Sequence, residues 1–102
     1  MRQVIWTNFA ISELKNIFLY YRMVASDKVA DKIRKSIFDS TRLLCKRPFT
    51  GAVEENLLDL KQEHRYLVVD NYKIIYRVTP SSIYITDIFD CRQDPLKMKK
   101  RN

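Results

Sequence analysis

The side chains with chemistry to offer gather in the last third of the chain. His64, Arg65 and Tyr66 stand together, Lys73 and Arg77 follow on one apolar run, and Arg92 comes after a second. Arginine and lysine in this number suit the phosphates or carboxylates of a polyanion, and the net charge of +7 agrees with such a partner. His64 carries an imidazole able to act as a general base near neutral pH, and Tyr66 offers a ring face on which a nucleic-acid base can stack. The same residue types also serve simpler ends. Lysine and arginine keep edge and surface strands soluble, and a histidine at the start of a strand is more often a surface residue than a catalyst.

Other chemistries are excluded more firmly. No Ser/His/Asp set stands at a familiar spacing, and a glycine-rich phosphate cradle cannot be built when Gly51 is the single glycine. Cofactor chemistry is therefore not expected. Cys45 and Cys91 follow no metal or redox spacing, and with His64 as the one histidine they cannot complete a usual zinc set. They read as reduced thiols of a cytoplasmic protein. Glu13 and Lys15 interrupt the first apolar run before it could serve as a signal peptide, and no run reaches transmembrane length, so no membrane role is expected.

Three strands must position the basic cluster: Arg65–Val69, Tyr72–Thr79 and Ile83–Phe89. Asp70-Asn71 and Pro80-Ser81-Ser82 supply the turns between them. Side chains alternate along a strand, so Tyr72, Ile74, Tyr76 and Val78 share one face, and Lys73, Ile75, Arg77 and Thr79 the other. The first face suits a core and the second carries two cations. Upstream, Arg2–Trp6 reads as a short strand. Thr7 or Asn8 can cap a helix from Phe9 to Met23 whose core stripe is Ala10, Leu14, Ile17, Phe18 and Tyr21. Phe9, Ile11, Leu19 and Tyr20 widen that stripe past the needs of one core face, which suggests a further contact. After Ala25-Ser26-Asp27 a second helix runs from about Lys28 to Lys46, with Ala30, Ile33, Ile37 and Leu44 inward, until Pro48 stops it. Two helices joined so tightly should form an antiparallel hairpin.

Residues 49–63 carry little periodicity, and their acids, Glu54, Glu55 and Asp59, read as solvated loop charges. Leu96 to Asn102 holds four cations and is expected to be mobile unless docked. The 102 residues make one domain with a core of its own.

This order resembles the ParE/RelE family, the toxins of bacterial type II toxin–antitoxin pairs. Arg65 stands seven positions before Tyr72-Lys73-Ile74-Ile75-Tyr76-Arg77-Val78, and an apolar strand and Arg92 follow. Leu14, Ile17 and Tyr20 match the family's first helix, and Leu43-Leu44, Pro48 and Gly51 match the end of its second. The resemblance runs from Val4 to Asp94. It implies an α+β fold, in which an antiparallel helical hairpin covers one face of a three-strand antiparallel meander, with the N-terminal strand added beside it. It implies a cognate acidic antitoxin, for which Phe9, Ile11, Leu19 and Tyr20 are candidate contacts.

The resemblance implies two modes of action. RelE-like members cut messenger RNA on the ribosome with basic strand residues. Carried over by position, Lys73 and Arg92 would stabilise the phosphorane, with Arg65, Arg77, His64 and Tyr66 as further candidates. That family's paired lysines fall near His64 and Tyr66, and its C-terminal tyrosine near Met98, so the acid–base set is incomplete. ParE-like members instead poison DNA gyrase by binding it. The long hairpin and the Arg-to-Tyr spacing are closer to these, and the leading expectation is a gyrase-binding toxin. The alternatives are a ribosome-dependent endoribonuclease, or an inactive member that only binds its antitoxin.

Overall fold

The computed structural model describes residues 2–101. Strand β1 (Gln3–Trp6) leads into helix α1 (Asn8–Val24), and a tight turn joins it to α2 (Asp27–Arg42). Both helices start on hydroxyl caps. Thr7 accepts from the Ala10 N–H at 3.2 Å and Ser26 from the Val29 N–H at 3.1 Å, each satisfying a donor that has no partner within the helix. The second helix stops sooner than its apolar stripe suggested. It tightens at Leu43–Cys45 into a 3-10 turn, as the approach to Pro48 favours.

Then come β2 (Ala52–Val53), β3 (Arg65–Val69), β4 (Tyr72–Val78), β5 (Ser82–Asp90) and a last helical turn, α3 (Met98–Arg101). They form one sheet in the order β1-β5-β4-β3-β2. The expected meander is present, and β1 lies parallel to β5 along Gln3–Trp6 and Ser82–Ile85. The short β2, which pairs Ala52 with Tyr66 and Val53 with Arg65, was not anticipated. Two residues are too few to show a period.

The hairpin packs on one face. Ala10, Leu14, Ile17 and Tyr21 of α1 and Ile33 and Ile37 of α2 meet Tyr72, Ile74 and Tyr76 of β4 and Ile83, Ile85 and Ile88 of β5. Ile85 and Ile88 are an odd number of residues apart, yet both lie in this core. A bulge accounts for it: Ile75 pairs with Asp87 but Tyr76 with Ile85, so Thr86 is the extra residue and the alternation restarts after it.

The opposite face is not simply a solvated face with two cations. Ile75 and Phe89 form a second, smaller core there with Leu57 and Met98, flanked by Leu60 and Tyr66. Leu57 comes from the 3-10 turn Glu55–Leu57, and Met98 from α3. The basic C-terminal segment, expected to be mobile unless docked, is therefore docked through residue 101. Burying a methionine side chain of this kind contributes about 1.5–3 kcal/mol, enough to hold a short turn of helix.

Candidate functional site

Lys73 leaves β4 on the face away from the hairpin, but it does not stand free. Its Nζ lies 2.7 Å from Glu54 Oε1 and 4.2 Å from the centre of the Tyr66 ring. Glu54 is 1% exposed, so the sequence reading of a solvated loop charge is corrected. The reason is local. The carboxylate caps the turn Glu55–Leu57, its Oε2 accepting from the Asn56 backbone N–H at 3.0 Å and the Asn56 side-chain amide at 2.9 Å. Burial pushes the Glu54 carboxyl up. The Lys73 ammonium and the Asn56 donors together outweigh burial and hold it below its ordinary value. The result is a neutralised lysine, tied at both ends.

Arg92 is tied as well. Its Nε and Nη2 donate to the two oxygens of Asp90 at 2.9 and 2.7 Å, a bidentate pair across two residues. Those hydrogen bonds hold the Asp90 carboxyl below its usual value against the opposing effect of its burial. Arg92 lines a cavity of about 330 Å³ between α1 and the end of β5, beside Tyr20, Tyr72 and Asp90. Lys73 lines a different cavity with Glu54, Asn56 and Tyr66. Because Tyr72 belongs to the hairpin-side core and Lys73 to the other face of β4, the two cations carried over as catalytic candidates sit on opposite sides of the sheet.

The remaining candidates divide in the same way. His64 is 6% exposed rather than a surface residue, and its Nδ1 lies 2.9 Å from the Gln62 carbonyl. Burial lowers its pKa, the Gln62 carbonyl opposes this in part, and the Arg77 charge lowers it further. Arg77 lies opposite Tyr84 on β5 and stacks on its ring at 4.6 Å. Arg65 does structural work: Nη1 donates to the Gly51 carbonyl at 2.8 Å and the guanidinium covers Phe49. Tyr76 Oη accepts from the Gly51 N–H at 2.9 Å, so both backbone groups of Gly51 are held. Tyr66 is the lid over Lys73. Met98, where a RelE-like toxin would keep a tyrosine, is buried in the second core. Lys73, Arg92 and His64 each line a different cavity.

Two acids that sequence reasoning missed, Glu54 and Asp90, thus decide the character of the site. The Asp90-x-Arg92 spacing was a readable signal. Glu54 offered only its sign within a basic chain. Among the described residues, no group of three or more His, Cys, Asp or Glu is gathered as a metal site needs. No helix of the described residues is long and apolar enough to cross a membrane.

The surplus apolar residues of α1 do reach solvent. Phe9, Ile11, Leu19 and Tyr20 are each about half exposed, and Met23 and Val24 extend the surface toward the end of the helix. At the other end of α1, Arg101 makes a clasp. Its Nη2 lies 2.8 Å from both Glu13 Oε2 and the fully buried Asp87 Oδ1, and its guanidinium covers Phe9 and Phe89.

A helical hairpin on a sheet of this order is the fold of a known class of toxin. The chain superposes with a TM-score of 0.74 on a structure described as the chromosomal ParDE TA system from P. aeruginosa, at 22% identity, over 88% of this chain and 96% of that one. Among curated proteins no sequence gives a significant match. The family model described as the ParE toxin of the type II toxin–antitoxin system, parDE, matches residues 4–95. The chain belongs to that family, and is the toxin component of a type II toxin–antitoxin system.

Proposed function

We propose that this toxin acts by binding and poisoning DNA gyrase, protein against protein, and not by cutting RNA. The observation that carries this reading is the state of the two candidate catalytic cations. Lys73 is neutralised by a buried carboxylate and Arg92 by a bidentate one, on opposite faces of the sheet. Cleavage of RNA through its own 2′-hydroxyl requires cations aimed at one phosphorane and groups nearby to move two protons. Here the cations point at carboxylates, and Met98 has no proton to give.

Its cognate partner is an acidic antitoxin that covers the exposed side of α1. The exposed apolar side chains of Phe9, Leu19, Tyr20 and Met23 support this, since exposed apolar surface favours a partner. The net charge of +7 steers an acidic chain toward it. On this reading the protein works in the cytoplasm, where gyrase and antitoxin are met.

Paired assays test the mechanism. The purified chain should inhibit supercoiling by gyrase and leave cell-free translation intact. Cleavage of ribosome-bound message with gyrase unaffected would replace this reading with the endoribonuclease. Inactivity in both, with antitoxin bound, would leave a toxin that only binds its antitoxin.

A further inference from the structure

Beside the second core, the outer face of the sheet opens into a cavity of about 410 Å³ lined by Leu60, Lys61, Gln62, His64, Arg77 and Thr86. Its cations are unlike the paired basic residues described above. Arg65, Lys73, Arg92 and Arg101 each touch a carboxylate, whereas among the described residues neither Arg77 nor Lys61 has one within 4.0 Å. The Arg77 guanidinium is held by stacking on Tyr84, which fixes its plane and leaves its N–H edges to donate. His64 spends Nδ1 on the Gln62 carbonyl, and among the described residues Nε2 has no hydrogen-bond partner. A second cavity, of about 260 Å³, adjoins the first. It shares Gln62 and Arg77 with it and continues to Arg65, Phe49 and Thr79. Glu63 is the one acid along this lining.

We propose that these two cavities form a groove for a nucleic-acid backbone, in which Arg77 donates to a phosphate at their junction, with Lys61 and His64 beside it. An isolated anion would occupy one cavity. A chain of repeated phosphates accounts for two that meet at an uncompensated arginine. A phosphopeptide brings a single phosphate and is the weaker fit. The groove is separate from the Lys73–Glu54 pair and from the exposed side of α1, and it is a site for binding, not cleavage.

The test uses the full chain and a fluorescent single-stranded oligodeoxynucleotide of about 12 nucleotides, read by anisotropy across a salt series. Binding should weaken with salt. Arg77→Gln should lower the magnitude of the slope of log K against log [salt] by about 0.7, the value of one phosphate contact on a single strand. Arg77→Lys should restore the slope without the full affinity, because an ammonium does not reproduce the planar fork. Arg92→Gln, whose charge Asp90 already satisfies, should leave the slope unchanged. His64 is the one histidine, so its ring resonances identify themselves by NMR. They should move on adding the oligonucleotide, and their titration midpoint should rise as the phosphate offsets the Arg77 charge. The neighbouring Glu54, Glu63 and Arg65 stay constant in that comparison. Absence of binding, or equal losses from Arg77→Gln and Arg92→Gln, would overturn the groove. Inorganic phosphate or a phosphoserine peptide binding as tightly as the oligonucleotide would overturn its assignment to a backbone. Melting temperatures of the variants keep loss of fold apart from loss of binding.

Discussion

Glu54 Oε1 lies 2.7 Å from Lys73 Nζ in a pair whose acid is wholly enclosed and whose base is 23% exposed. The asymmetry sets what each substitution does. Lys73→Met leaves a buried carboxylate with only the Asn56 donors, and should cost about 3 kcal/mol in urea unfolding. Glu54→Gln combined with Lys73→Met should recover most of it, since the amide needs no cation. The acid side carries a sign. The folded carboxyl lies below its ordinary value of 4.5, so the pair's contribution is complete above about that pH and is lost as pH falls through the folded value. The native chain should lose stability below pH 4.5 more steeply than Glu54→Gln, as measured by unfolding at a series of pH values.

Arg101 is the second enclosed pair, and it tests whether the C-terminal turn is held by charge as well as by Met98. Arg101→Ala removes the guanidinium from the buried Asp87 and from Glu13 at once. We expect a loss of about 3 kcal/mol and faster hydrogen exchange over residues 95–101. Arg101→Lys should restore part of this, since one ammonium does not reproduce the reach of a planar guanidinium across two carboxylates. Unchanged exchange in Arg101→Ala would mean that Met98 alone holds the segment.

Gly51 is small because of its surroundings. A Cβ there would lie 2.5 Å from the Tyr66 carbonyl oxygen and 2.6 Å from Tyr76 Oη. The first is backbone and cannot swing aside. Gly51→Ala should therefore destabilise by about 1–3 kcal/mol, as overpacking does. Tyr76→Phe should cost about 1 kcal/mol through the lost hydrogen bond to the Gly51 N–H. A stable Gly51→Ala would show that the loop shifts without penalty.

Wherever a period was long enough to read, the fold was legible. The hairpin shows in Ala10, Leu14, Ile17 and Tyr21 and in Ala30, Ile33 and Ile37, and the meander in the alternation from Tyr72 to Val78. The Thr86 bulge was hidden because Ile83, Tyr84, Ile85 and Ile88 are apolar on either assumption about the register. The second core was hidden for another reason. Leu57, Phe89 and Met98 come from three separate elements, and no local pattern joins them. Basic candidates were easy to name, but their state was not. Glu54 reaches Lys73 across 19 positions, and only tertiary structure brings such a carboxylate to its partner.

The exposed side of α1 separates interface from core. Leu19 and Tyr20 are 43% and 50% exposed, and Tyr20 meets Tyr21 edge to face at 5.1 Å. Leu19→Ser with Tyr20→Ser should change the melting temperature by only a few degrees, as surface substitutions do. It should weaken antitoxin binding by at least tenfold if these are central contacts, about 1.4 kcal/mol or more. Calorimetry with the antitoxin measures one effect and thermal unfolding the other. Loss of fold in the double variant would assign both side chains to the core.

The mechanism is separated by removing the two carried-over cations without collapsing the fold. Lys73→Ala alone is a poor probe, because the stranded Glu54 carboxylate would destabilise the chain under either mechanism and imitate loss of catalysis. The informative variant is Glu54→Gln/Lys73→Met/Arg92→Ala, which removes both cations and the buried charge together. In an endoribonuclease, a cation on the phosphorane acts in the transition state, and its loss lowers turnover on the order of 100-fold or more. In a gyrase-binding toxin, Arg92 is an exposed charge already matched by Asp90, and Lys73 is mostly covered and already matched by Glu54. Losses at such positions are about 1 kcal/mol or less. The triple variant should therefore keep toxicity in cells and gyrase inhibition in vitro, with antitoxin binding and melting temperature as controls of folding. Abolished toxicity in a variant that still folds and binds antitoxin would return Lys73 and Arg92 to the chemistry and make the endoribonuclease the better account.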